Sequence, residues 1–154
     1  KHAAFLQLVR GRRLRLQRTE PNIGALATAL ADPVNPVTAQ YHLAFVASDT
    51  FYEHTHRYPG QRHDWQADVD PLLSHAQTYC ARIGLDLSDS DRVRLQHACY
   101  ELARGGHADT PSTSALLGGV AAQEVIKIIT VQYIPLDNTC VYDGIVQAVS
   151  SFRL

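Results

Sequence analysis

The spacing of apolar residues changes once along this chain, and the change falls at Thr130. Before it, apolar residues recur every three or four positions, which is typical of amphipathic helices. After it they alternate, which indicates strands. We therefore predict one helix over residues 113–130, packed on a sheet that is built partly from three strands: residues 131–136, 139–143 and 148–154.

The first two thirds of the chain reads as helices separated by residues that begin or end them. Residues that can cap a helix, followed by proline or by a carboxylate three positions on, mark the predicted starts. These starts are Asn35-Pro36, Asp70-Pro71, Ser88 with Asp91, and Thr110-Pro111. Glycines mark the predicted ends, at Pro59-Gly60, Gly84 and Gly105-Gly106. In the last third, Asp137-Asn138 is the predicted turn between the first two strands.

The helical stripes supply the predicted core. One stripe contains Tyr41, Ala44, Phe45, Ser48 and Tyr52, and later stripes contain Cys80 and Cys99. A cysteine on such a stripe is most often a small buried apolar residue. The order of elements predicts an α/β fold, with a helical block over residues 1–107 and a helix with antiparallel strands over residues 108–154.

Composition limits the class of protein further. The chain has 154 residues, 45% of them apolar, and a net charge of −1, which is enough for a sizeable core. No apolar run approaches the ~18 residues of a membrane span, so we expect no membrane partner. Three widely spaced cysteines suit a reducing compartment. Methionine is absent, so we expect a fragment or a processed piece of a longer protein.

The first twenty residues carry six basic groups against one acidic group, in a run that includes RGRRLRLQR. Such a run can bind nucleic acid phosphates, which makes a small basic-armed nucleic-acid-binding module one alternative. The other interpretation is a helix whose apolar residues Phe5, Leu6 and Val9 dock while the arginines face solvent. We favour the second, since no base-reading motif accompanies the run.

Candidate catalytic and metal residues are few. His54, His56, His63 and Asp64 are the best metal candidates, but two histidines two positions apart point to different sides of a helix. No nucleophile elbow, zinc-protease motif or glycine-rich phosphate loop is present. We therefore predict no catalytic, cofactor-binding or metal-binding residue in this chain.

One segment carries a specific signal. The chain contains, in this order, RYPG at 57–60, the run GGVAAQEVIKIIT at 118–130, the Asn138-Thr139 pair and the tail SSFRL at 150–154. Together they resemble the regulatory subunit of the heterodimeric neddylation activating enzyme, in words the amyloid-precursor-protein-binding subunit family. The resemblance covers roughly the C-terminal third of such a subunit. It implies a ThiF/MoeB-type adenylation fold, of which the nucleotide-binding half is missing here.

The resemblance also implies a division of labour. A catalytic partner subunit would hold ATP, magnesium and the thioester-forming cysteine, and would act on the ubiquitin-like modifier of neddylation. This chain would be a non-catalytic regulatory part of that heterodimer, in the cytoplasm and nucleus. The corresponding subunit of a SUMO-type activating enzyme is the nearest alternative, although RYPG and the serine-rich tail are not expected there.

The residues of the motif helix that we single out are Gly118, Gly119, Gln123, Glu124 and Lys127. Two glycines inside a helix cost about 1 kcal/mol each relative to alanine, so we expect another backbone to approach them closely. Gln123 and Lys127 form an i,i+4 pair that can join the helix to neighbouring backbone. The same residues also suit an ordinary amphipathic helix packed on a sheet, so their role as interface residues stays open here.

Overall fold

The structure is a computed structural model that describes residues 14–35, 37–106, 108 and 110–154. Its helices are α1 Leu14–Thr19, α2 Ile23–Leu30, α3 Thr38–Thr55, α4 Val69–Ile83, α5 Asp89–Gly105 and α6 Pro111–Thr130. A short 3-10 helix, Trp65–Asp68, precedes α4. Two strands follow α6, β1 Thr139–Asp143 and β2 Ala148–Phe152. The described residues thus form a mostly helical α/β domain with two antiparallel strands.

Four of the predicted helix boundaries are confirmed: Ser88 with Asp91, Gly84, Gly105-Gly106 and Thr110-Pro111. The boundaries predicted at Pro59-Gly60 and Asp70-Pro71 are wrong, because α3 ends at Thr55 and α4 begins at Val69. Ser88 caps α5, since its hydroxyl accepts from the Asp91 amide at 3.2 Å while the Ser88 amide donates back to the Asp91 carboxylate. Gly84 ends α4 in the left-handed conformation, with φ of 71°. Proline stands at the first turn of α6, as predicted.

The predicted start of α3 is wrong in its detail. The cap is Val37, and no side chain bonds there. Asn35 instead uses its carbonyl to accept from the Thr38 hydroxyl at 3.0 Å. Pro36 lies outside the described residues.

The core lies around α3, which packs against α2, α4, α5 and both strands. Cys80 and Cys99 are buried in it, as predicted, and burial raises the pKa of Cys80 to about 11 and that of Cys99 to about 12. The predicted stripe on α3 is partly wrong. Phe45 and Tyr52 are exposed, because α3 is rich in small apolar residues on several sides and turns Phe51 inward with its alanines instead.

The sheet differs from the prediction in one strand. β1 pairs with β2 in an antiparallel register that runs from Thr139 opposite Phe152 to Asp143 opposite Ala148. Residues 131–136 form no strand, and Asp137-Asn138 is not a hairpin turn. In the described sheet β2 is the one hydrogen-bonded neighbour of β1, and residues 131–136 do not pair with the other edge of β1. Asn138 instead holds the last residue, donating to the Leu154 carbonyl at 2.8 Å and accepting from its amide at 3.1 Å.

The RYPG segment forms a buried corner between α3 and α4. Asp68 is 3% exposed, receives two guanidinium bonds from Arg57, one at 2.6 Å, and accepts from the Gly60 amide at 2.9 Å. The Arg57 hydrogen bond holds the pKa of Asp68 below its usual range. Gly60 has φ of 81°, and a Cβ there would lie 2.0 Å from the Ala103 carbonyl oxygen. The corner therefore fixes the end of α5 as well.

We predict that Gly60→Ala destabilises the fold much more than Gly84→Ala. Both glycines have positive φ, but nothing lies within 4 Å of a Cβ at Gly84. Gly84→Ala should cost about 1 kcal/mol in backbone strain alone. Gly60→Ala should cost a further 1–3 kcal/mol or so, because the Ala103 and Gly106 backbone must move. Urea titration of both variants measures the difference, and equal midpoints would contradict the close approach.

Candidate interaction surface

Helix α6 has an uncovered apolar side. None of its residues is buried, and it makes no extensive contact with the other described helices or strands. Exposed apolar side chains continue from the helix into the segment that follows it. We call these residues the α6 surface: Leu116, Leu117, Val125, Ile126, Ile128, Ile129, Val131, Tyr133, Ile134 and Leu136. Contiguous apolar patches of this kind mark protein interaction sites.

The predicted packing of α6 on the sheet is therefore wrong for the described residues. Strands β1 and β2 pack on α3 instead, and Val141 and Phe152 lie in the core cluster with its side chains. Helix α6 therefore faces solvent, and Ile129, for example, is 74% exposed.

Gly118 and Gly119 show the same openness. A Cβ built at either glycine meets nothing within 4 Å. The close approach that we expected at these positions is absent from the described residues. Their cost to the helix is thus not offset by packing within this part of the chain.

Glu124 makes the polar connections of α6. Its Oε1 accepts from Lys127 Nζ at 2.6 Å, and its Oε2 accepts from the Leu136 amide at 2.6 Å. The Lys127 hydrogen bond, and then that of Leu136, lower the pKa of the Glu124 carboxyl. The expected link between helix and neighbouring backbone exists, but Glu124 makes it. Gln123 is exposed and lies in a shallow depression beside Gly119.

The histidines that were candidate metal ligands have other surroundings. His54 bonds through Nδ1 to the Thr50 carbonyl at 2.8 Å and stacks on His75, with ring centroids 5.1 Å apart. His56 is the left-handed residue that ends α3, and His63 and Asp64 are exposed. Among the described residues, no three His, Cys, Asp or Glu side chains are grouped so that they could hold a metal ion.

The basic run is described only from residue 14 onward. Phe5, Leu6 and Val9, which we expected to dock, lie outside the described residues. Arg18 forms an ion pair with Asp49 on α3 at 2.6 Å, so this arginine serves to hold α1 on the domain. No helix in the described ranges has the length and apolar content needed to cross a bilayer.

Comparison with known proteins gives the family. No family model matches the chain. It is 31% identical over 157 residues to the NEDD8-activating enzyme E1 regulatory subunit of Danio rerio, a match that covers 100% of the chain and 28% of that protein. The match to the subunit of Drosophila melanogaster is 34% over 145 residues, covering 94% of the chain and 26% of the relative.

The regulatory subunit AXR1 of Arabidopsis thaliana is 28% identical over 145 residues, again with 94% of the chain and 26% of the relative covered. The chain therefore spans about a quarter of the length of these relatives, and the covered share is 26% to 28%. These matches come from a plant, a fish and an insect, and each runs through nearly the whole chain. The chain thus belongs to the family of NEDD8-activating enzyme E1 regulatory subunits.

Proposed function

We propose that this chain is a non-catalytic scaffold within a regulatory subunit of a NEDD8-activating enzyme. It pairs, in the cytoplasm and nucleus, with a catalytic subunit that adenylates the modifier and forms its thioester. ATP and magnesium belong to that partner, as the resemblance to regulatory subunits implies. The matches to regulatory subunits, which cover 94% and 100% of this chain, support the assignment.

The α6 surface is the observation that carries the scaffold role. An apolar helix side is stable only when another layer buries it, and the described residues offer none. In a ThiF-type adenylation fold, helices cover a sheet much larger than a hairpin. We infer that the α6 surface is the side on which this chain joins that larger sheet.

The two alternatives have less support. The relatives described above are named for NEDD8, which does not favour a SUMO-type subunit. For a nucleic-acid-binding arm, the one relevant observation is that Arg18, one of its six basic residues, forms an ion pair with Asp49.

We predict that no cysteine of this chain forms a thioester with the modifier. Cys80 and Cys99 are buried with raised pKa values, whereas a thioester-forming cysteine needs an accessible thiolate. Cys140 is half-buried and is the best remaining candidate. Mixing the chain with the catalytic subunit, ATP, magnesium and NEDD8 should give a reducible adduct on the partner alone. An adduct on this chain that is lost in Cys140→Ser would overturn the non-catalytic assignment.

We also predict that Gly119→Leu has opposite effects in two settings. In the 154-residue chain it should leave stability unchanged or raise it by about 1 kcal/mol, because leucine favours helix and the site is open. In a longer polypeptide, which joins this chain to the adenylation core of the Danio rerio relative, overpacking should cost about 1–3 kcal/mol.

Gly105→Leu is the matched control for this experiment. Gly105 also has nothing within 4 Å of a Cβ, but it lies on α5, away from the α6 surface. It should behave alike in both polypeptides in denaturant titration. If Gly119→Leu also behaves alike in both, the α6 surface is not where the chain joins the larger fold.

A further inference from the structure

A cavity of about 620 Å³ lies between α1, α3 and the start of β1. His42 of α3 lines it, together with Arg18, Asp49, Tyr58 and Cys140. This cavity and its histidine are unrelated to the α6 surface. The role of His42 in this cavity is therefore independent of the proposed function.

The ring of His42 joins α3 to the C-terminal hairpin. It meets the ring of Phe152 edge-on, with centroids 5.9 Å apart and planes 79° to each other. Its Nε2 is shielded from solvent and has no hydrogen-bond partner among the residues that the structure describes. A neutral imidazole tolerates this position, whereas an imidazolium would bury an N–H donor and a charge without an acceptor.

The charged groups around His42 do not favour its protonation. Arg18 on α1 brings a positive charge to the cavity. Asp49 on α3, the one carboxylate among the described lining residues, forms an ion pair with Arg18 at 2.6 Å. β2 presents the apolar ring of Phe152. Cys140 from β1, Tyr58 from the corner and Leu102 from α5 complete the neighbouring elements.

We propose that His42 is an acid-sensitive latch of the C-terminal hairpin, and that protonation of its ring releases β1 and β2 from α3. Phe152 is 8% exposed while docked, so release exposes both the phenyl ring and the imidazole to water. The released state accepts the proton that the docked state excludes. Acid therefore favours release.

The titration of His42 agrees with this geometry. Burial, and then the charge of Arg18, lower the pKa of docked His42 to about 4 from its ordinary value of 6.5. Between these values the released state binds a proton that the docked state does not. The equilibrium for release should thus rise about tenfold for each pH unit below 6.5 and level off below about 4.

Amide hydrogen exchange of the 154-residue chain at pH 7, 6 and 5, corrected for intrinsic rates, tests the latch. Amides of β1 and β2 should lose protection about tenfold per pH unit below 6.5, while those of α5 keep theirs. Burial, and then the charge of His54, lower the pKa of His75 on α4, so α5, which does not carry that histidine, is the reference helix. Equal loss of protection in α5 would show global unfolding and overturn the proposal.

Two substitutions isolate the residue. His42→Phe keeps an edge-on ring against Phe152 but cannot be protonated, so protection of the hairpin should become independent of pH in this range. His63→Phe, at an exposed histidine, should keep the wild-type dependence. If His42→Phe does not fold, His42→Gln provides the same non-titrating readout. A hairpin that still opens in acid without His42 would contradict the latch.

Discussion

The burial of α3 is the constraint on which the rest of the described structure depends. This helix touches α2, α4, α5 and the hairpin, so each of these elements is placed by its fit to one central rod. Leu43, Ala44 and Ala47 are fully buried along it, and small side chains let several neighbours come close. Even polar Gln40 is enclosed, with its amide donating to Asp91 of α5 at 3.2 Å. Displacing α3 would expose the whole core.

The apolar content of the chain divides into two groups with different fates. One group surrounds α3 and is covered by the domain itself. The other lies on the α6 surface and is covered by nothing that the structure describes. A domain that was stable without further protein would bury more of these apolar residues in its core. Their position outside is explained if the domain is completed by more protein, as membership of a family of larger subunits implies.

The local features of the fold were predictable from sequence, whereas those that depend on distant residues were not. Ser88 with Asp91, Gly84 and Pro111 act within one turn of a helix, so their roles follow from spacing. The alternation in residues 131–136 is equally local, but a strand also needs an edge to pair with, and no spacing reveals whether one is free. In the candidate site, we expected Lys127 to pair with Gln123 at i,i+4, but it forms an ion pair with Glu124 at i,i+3. The second bond of Glu124, to Leu136 twelve residues later, had no local signal.

The hydrogen bond from the Leu136 amide to Glu124 also determines how α6 and the hairpin are connected. Glu124 lies midway along α6, and its carboxylate accepts a hydrogen bond from the Leu136 amide, just before Asn138 and β1. The carboxylate thus connects α6 directly to the backbone that leads into the hairpin, across the segment 131–135. A displacement of α6 therefore also shifts the backbone that leads into the first strand. The positions of α6 and β1 are therefore coupled.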